Sequence, residues 1–136
     1  MLKMVIPLQP ITKKNSQRIL QRTTRNKKSG QLQNTPFIAP SERYKQYELE
    51  AGYFIKGRGA NIDKRVNVKC VFYMQTKRMP DLNNLLEAVT DMLVHYNVLK
   101  DDNANIVAAH DGSRVRYDKA NPRTEIYITE MSEDDV

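Results

Sequence analysis

Hydrophobic and polar residues alternate at different periods along this chain, and each period predicts an element. The opening KMVIPL is a short apolar run that reads as a strand. In PSERYKQYELEAGYFIKG, residues Tyr44, Tyr47, Ala51, Phe54 and Ile55 recur at helical spacing, between a start at Pro40 and Ser41 and a stop at Gly57. That stripe predicts core packing for the aromatics; base stacking is the alternative use of such rings. RVNVKCVFYM has period two, with Val66, Val68, Cys70, Phe72 and Met74 on one face and Asn67, Lys69, Val71 and Tyr73 on the other, as in a strand with one apolar side. A second helix runs from about Leu82 to His95: Leu85, Leu86, Val89, Leu93 and Tyr96 draw its apolar face, and Asn84, Glu87, Asp91 and His95 its polar one. NANIVAAHDGSRVRYDKANPRTEIYIT closes the chain as two strands joined by a turn at Asp118 to Pro122, with Gly112 bending or bulging the first. The expected fold is a single α/β (α+β) domain over residues 1–136. It has a small mixed, mainly antiparallel sheet with two helices packed on one face and a long basic N-terminal loop. A chain of 136 residues with 40% hydrophobic content supports one core rather than two.

That loop, residues 8–39, lacks apolar periodicity, apart from a short ordered piece expected at Gln17 to Arg22. Its charge changes the picture. Residues 1–40 hold eight Lys or Arg (Lys3, Lys13, Lys14, Arg18, Arg22, Arg25, Lys27, Lys28) and no Asp or Glu, whereas the tail over 130–136 is acidic and the whole chain has a formal charge of +6. A solvated basic arm is one reading. A phosphate-binding surface, from which counterions are displaced on binding, is the one that the missing acids favour. One cysteine excludes an internal disulfide, no apolar run approaches the ~20 residues of a membrane span, and no small-residue cleavage site follows the first strand. A cytoplasmic protein is expected, nucleoid-associated in a bacterial host, with no membrane partner. No glycine-rich loop predicts a nucleotide cofactor.

Against that basic background, RMPDLNNLLEAVTDMLVHYNVLKDDNANIV places Asp81 before the second helix and Asp101 with Asp102 after it. A fourteen-residue helix is ~21 Å long, and an extended return from Tyr96 to Asp102 covers roughly 20 Å. A straight return antiparallel to the helix would therefore bring Asp101 and Asp102 beside Asp81, as a carboxylate cluster suited to a hard cation such as Mg²⁺. Each acid also has an ordinary structural use: Asp81 as a helix N-cap, Asp101 and Asp102 as turn formers.

PDLNNLLEAVTDML followed by LKDDNANIV resembles the RusA-type family of Holliday junction resolvases. The likeness extends to VIPLQPITKKNSQR, PSERYKQY and PRTEIYITEM, and so covers nearly the whole chain in order. The resemblance implies a homodimeric, magnesium-dependent endodeoxyribonuclease, with Mn²⁺ as a substitute, that binds four-way DNA junctions and nicks opposed strands in recombination and repair, of phage or prophage origin. It assigns Asp81 and Asp102 to the catalytic aspartates and Asp101 to the acid preceding the last. Where the family has a further aspartate this chain has Asn83, and where it has a lysine this chain has Glu87. An amide oxygen coordinates a hard cation without bringing charge. Glu87, one helical turn beyond Asn83, either restores that charge or marks a site that binds junctions without cutting them. The expected catalytic set is Asp81, Asn83, Glu87, Asp101 and Asp102, with Asp81, Asn83 and Asp102 on the metal. The expected DNA contacts are Lys13, Lys14, Asn15, Arg18, Arg22, Lys77 and Arg78.

Other chemistries have weaker support. The His110-Asp111-Gly112 triplet lacks the further histidines of a metal phosphohydrolase, Met79-Pro80-Asp81 is not followed by an acid-x-lysine pair, and Cys70 sits on the apolar face of its strand. A nucleic-acid-binding module without catalysis is the competing class.

Overall fold

The computed structural model describes residues 1–13, 17–59 and 61–132. In chain order its elements are β1 (Leu2–Ile6), β2 (Gln17–Arg25), β3 (Leu32–Pro40), α1 (Glu42–Ile55), β4 (Val66–Met74), α2 (Leu82–His95), β5 (Val107–Ala109), β6 (Arg114–Tyr117) and β7 (Arg123–Glu130). The five-stranded sheet runs β1-β7-β4, with β5 and β6 following one another along the free side of β4. β7 is antiparallel to both its neighbours, whereas β5 and β6 are parallel to β4. The parallel pairing follows from the connection: β4, α2 and β5 form a crossover that returns the chain to the same end of the sheet.

Period-two alternation in β4 puts Val68, Cys70 and Phe72 on the side where Met4, Ile6 and Ile126 also point. Both helices cover that side with Tyr44, Ala51, Ile55, Leu85, Val89 and Leu93, all buried. Ser41 caps α1, its side chain accepting from the Tyr44 amide, as its position before the stripe predicts. Phe54 departs from the expectation. It is 40% exposed, and Gly52 takes a core position in its place. A methyl on Gly52 would stand 2.5 Å from the Tyr96 ring, and that ring is tethered by its hydroxyl donating to the Glu48 carbonyl at 3.0 Å. Gly52→Ala is expected to cost roughly 1–3 kcal/mol by overpacking this α1–α2 approach. A urea midpoint equal to wild type would show that Tyr96 moves aside freely.

The basic arm is not a loop. β2 and β3 form a two-stranded sheet of their own, paired from Gln17↔Pro40 to Arg25↔Leu32. Asn26 Oδ1 accepts from the Lys28 and Ser29 amides, and Gly30, at φ +72°, closes the turn. Thr23 with Asn34 and Thr24 with Thr35 bond across the strands. Over its described side chains, residues 20–36, the ribbon buries neither face, so this part carries no hydrophobic alternation by which to be found.

The two closing strands are three, and β6 and β7 do not pair with each other, because β4 lies between them. Gly112, at φ +87°, breaks the edge into β5 and β6 as expected. The break is clamped to β4: Asn67 bonds Asp111 through both its amide atoms, and Ser113 Oγ accepts from the Cys70 amide.

Candidate active site

α2 is the platform of the site. Asp81 caps it, Oδ1 accepting from the Asn83 amide at 2.8 Å, so a carboxylate meets the positive end of the helix. Asn83, Glu87 and Asp91 then follow at i, i+4 and i+8 and project from one side. Asp102 and His110 complete a cleft of about 300 Å³ with these three residues, floored by Leu86, Thr90 and Val107.

The electrostatics of this cleft register on Asp91. Burial pushes its carboxyl above the ordinary range, Lys13 opposes the shift, and the negative fields of Glu87 and Asp102 add to it. A carboxyl raised in the folded state opposes folding when ionised. Its stabilising protonated form is fully present below the unfolded value and is lost as pH rises through the folded one. Asp91→Asn is therefore expected to raise the thermal midpoint at pH 7, with a gain that shrinks as pH falls towards 4. An equal gain at both pH values would locate the effect in packing instead of charge.

His110 faces the same cleft. Its Nδ1 lies 2.8 Å from the Val68 carbonyl oxygen. A carbonyl only accepts, so Nδ1 carries the proton, and Nε2 is the nitrogen turned to other partners. Four further oxygen-bearing side chains, Asn83, Glu87, Asp91 and Asp102, line the cleft with it.

The predicted residues separate into two neighbouring sites. Asp102 stands with Asn83 and Glu87 in the cleft, whereas Asp81 lines an adjacent groove of about 470 Å³ with Thr12, Arg43 and Arg78. On the return from the helix, residues 97–100 pair with Asn61 and Ile62, through Asn61 to Asn97, Ile62 to Val98 and Lys100 to Ile62. Asp101 is fully exposed and acts as a turn former. Its Oδ1 accepts from the Asp102 amide at 2.7 Å and Oδ2 from Asn103 at 3.1 Å, and the first of these bonds holds its carboxyl below the ordinary range. Lys77 places Nζ 5.7 Å from the Tyr117 ring. Arg18 and Arg22 lie on β2 and Lys13 stands within electrostatic range of Asp91; Lys14 and Asn15 lie outside the described residues.

Two cleft residues fall outside the predicted set. Asp91 has a sequence signal, the i+4 repeat that begins at Asn83. His110 has none, because its place depends on the break in the sheet edge. The donors in the cleft are carboxylates and an amide, hard oxygen ligands whose chemistry fits a divalent cation of the magnesium and manganese type. The pile-up of negative charge felt by Asp91 is what such a cation relieves. Among the described residues, no three side chains of His, Cys, Asp or Glu are drawn together as a metal-holding group.

A family model described as endodeoxyribonuclease RusA matches residues 7–129. Comparison with curated proteins gives no match.

Proposed function

The chain belongs to the RusA endodeoxyribonuclease family, hydrolases that resolve Holliday junctions, and from that premise we propose that it cuts four-way DNA junctions with Mg²⁺ as cofactor and Mn²⁺ as substitute. The observation that carries the reading is the cleft shared by Asn83, Glu87, Asp91, Asp102 and His110 in a chain of charge +6. Asp102 and Glu87 would hold the cation with the Asn83 amide oxygen, and Asp81 stands at the head of the same helix. When bound, a divalent cation supplies charge neutralisation at the scissile phosphate and a lowered pKa for the attacking water.

The remaining work belongs to the chain. His110 Nε2 would accept the water's proton, with Nδ1–H donating to the Val68 carbonyl. Lys13 offsets the cleft's negative field as a phosphate approaches. The β2–β3 ribbon, which carries Arg18 on β2, presents Arg22, Lys27 and Lys28 to the DNA backbone, and Arg78 adds a cation beside Asp81. Two copies about a dyad would match the near-symmetric junction and nick opposed strands in recombination and repair. A single buried thiol suits the reducing bacterial cytoplasm, where a phage- or prophage-derived resolvase would act.

The test measures nicking rate against Mg²⁺ and Mn²⁺ on a labelled four-way junction and on a linear duplex of the same arms. Wild type, Asn83→Asp and Glu87→Gln are compared. If Glu87 supplies the charge that Asn83 lacks, wild type cuts junctions selectively and Glu87→Gln does not. Cutting by Asn83→Asp alone identifies a resolvase disabled at that position. Tight junction binding with no cutting by any of the three replaces the nuclease with a junction-binding protein.

A further inference from the structure

The side of the sheet turned away from the helices is a second concentration of positive charge. Alternation places Lys3, Lys69, Arg114, Arg116 and Arg123 there, interleaved with Tyr73 and Tyr127, with Lys3, Arg114 and Arg116 exposed and Lys69 and Arg123 half-buried. Strand register places Tyr127 between Lys3 and Lys69, whose Nζ atoms lie 5.3 and 5.2 Å from its ring centroid. Val71 is only 6% exposed on this side although no helix covers it, because the long side chains around it lie over the sheet. Lys69, Tyr73, Arg114, Arg116 and Tyr127 line a depression of about 290 Å³.

The acids do not neutralise this face. Glu125 is taken at both oxygens, Oε2 by Arg123 Nε at 2.8 Å and Oε1 by the Tyr127 hydroxyl at 2.9 Å, and Asp118 is bound to the same arginine at 2.9 Å. Arg123 is further fixed at 3.7 Å over the Tyr73 ring. Among the described residues Lys3, Lys69, Arg114 and Arg116 have no ion pair. Arg114 spends only Nε, on the Gly112 carbonyl. A second copy docked here about a dyad would set like charges against one another.

The face also adjoins the cleft. His110 lines the cleft and Arg114 the depression, and the clamped break at Gly112 is all that separates them. Gly112 matters for its lack of a side chain as well as its φ, since a Cβ there would meet the Lys69 stem at 3.1 Å.

We propose that this open sheet face binds the phosphodiester backbone of double-stranded DNA, receiving a junction arm that passes around the β5–β6 edge beside the cleft. The inference rests on the nuclease reading above. Cations fixed on a sheet, with neighbouring strands ~5 Å apart, meet phosphates with little ordering cost, and the tyrosines hold the lysines in place.

The test is binding of labelled junction and linear duplex in EDTA, where no cutting intervenes, across a salt series, for wild type, Arg114→Gln/Arg116→Gln and Arg114→Lys/Arg116→Lys. Both arginines are exposed strand residues, and the lysine pair guards against a merely structural effect. The glutamine pair should flatten the slope of log affinity against log salt by about 1.8, at ~0.9 per lost phosphate contact, while the lysine pair keeps the wild-type slope and the mass by light scattering is unchanged. An unchanged slope in the glutamine pair, or a change of oligomeric mass in place of slope, overturns the proposal. Slope unchanged while the same variant still nicks junctions in a parallel assay with Mg²⁺ overturns the sheet face alone; wild type that binds neither DNA at any salt overturns the nuclease reading with it.

Discussion

Asp102→Asn should lower divalent-dependent nicking of four-way junctions by roughly a hundredfold or more, the scale expected when a carboxylate that holds a catalytic cation loses its charge. Junction affinity and thermal midpoint should stay at wild-type values. Asp102 is exposed, and it is the residue's backbone amide that bonds Asp101 Oδ1. An isosteric amide therefore removes charge from the cleft without uncapping a helix or opening the turn. Asp101→Asn is the natural control. Its oxygen still accepts from the Asp102 amide, and its carboxylate is spent on the turn, so cutting should fall no more than a few-fold. Equal losses in the two variants would move the catalytic acid to Asp101, and a Tm that falls with activity in Asp102→Asn would make Asp102 a turn residue only. Asp81 is a poorer probe, because Asp81→Ala removes an N-cap worth about 1 kcal/mol together with any catalytic role.

The second large effect belongs to the ribbon. Its strands pair with each other, over nine positions and so about 30 Å, and the turn holds Lys27 and Lys28 at the tip. Arg25 is structural there, donating to the Gly30 carbonyl at 2.7 Å. Arg22, Lys27 and Lys28 are the exposed cations whose removal leaves the cross-strand bonds of Thr23 and Thr24 in place. Changing all three to Ala should reduce the salt slope of junction binding by about 2.7, again at ~0.9 per phosphate, with a loss of affinity that is greatest at low salt. The thermal midpoint should not move, because surface changes of this kind fall within about ±0.5 kcal/mol each. A slope within error of wild type would leave the ribbon as a structural arm and transfer the DNA contacts to the groove beside Asp81 and to the sheet face.

Periodicity in the sequence determined what it physically encodes. Half-buried elements carry alternation that matches their period, so the span of α2, the apolar faces of β4 and α1, the cap at Ser41 and the break at Gly112 could all be read from the order of residues. The motif around Asp81 and Asp102 likewise led to the family that the match over residues 7–129 establishes. Tertiary structure alone decided the rest. The ribbon's described side chains, residues 20–36, are buried on neither face and leave no hydrophobic pattern, and the pairing of β2 with β3 became visible only as backbone hydrogen bonds. Reach sets how far two residues can be brought together, not whether they are. The length between Tyr96 and Asp102 permits a return to Asp81; it is the bonding of residues 97–100 to Asn61 and Ile62, invisible in the sequence, that accompanies the placing of Asp102 beside Glu87 and Asp91. His110 enters the cleft for the same kind of reason: β5 lies parallel to β4 and places the imidazole within bonding distance of the Val68 carbonyl, 42 residues away in sequence. Local order fixes periods and caps, whereas a site assembled from distant segments depends on which backbone groups satisfy one another, and only the folded chain settles that.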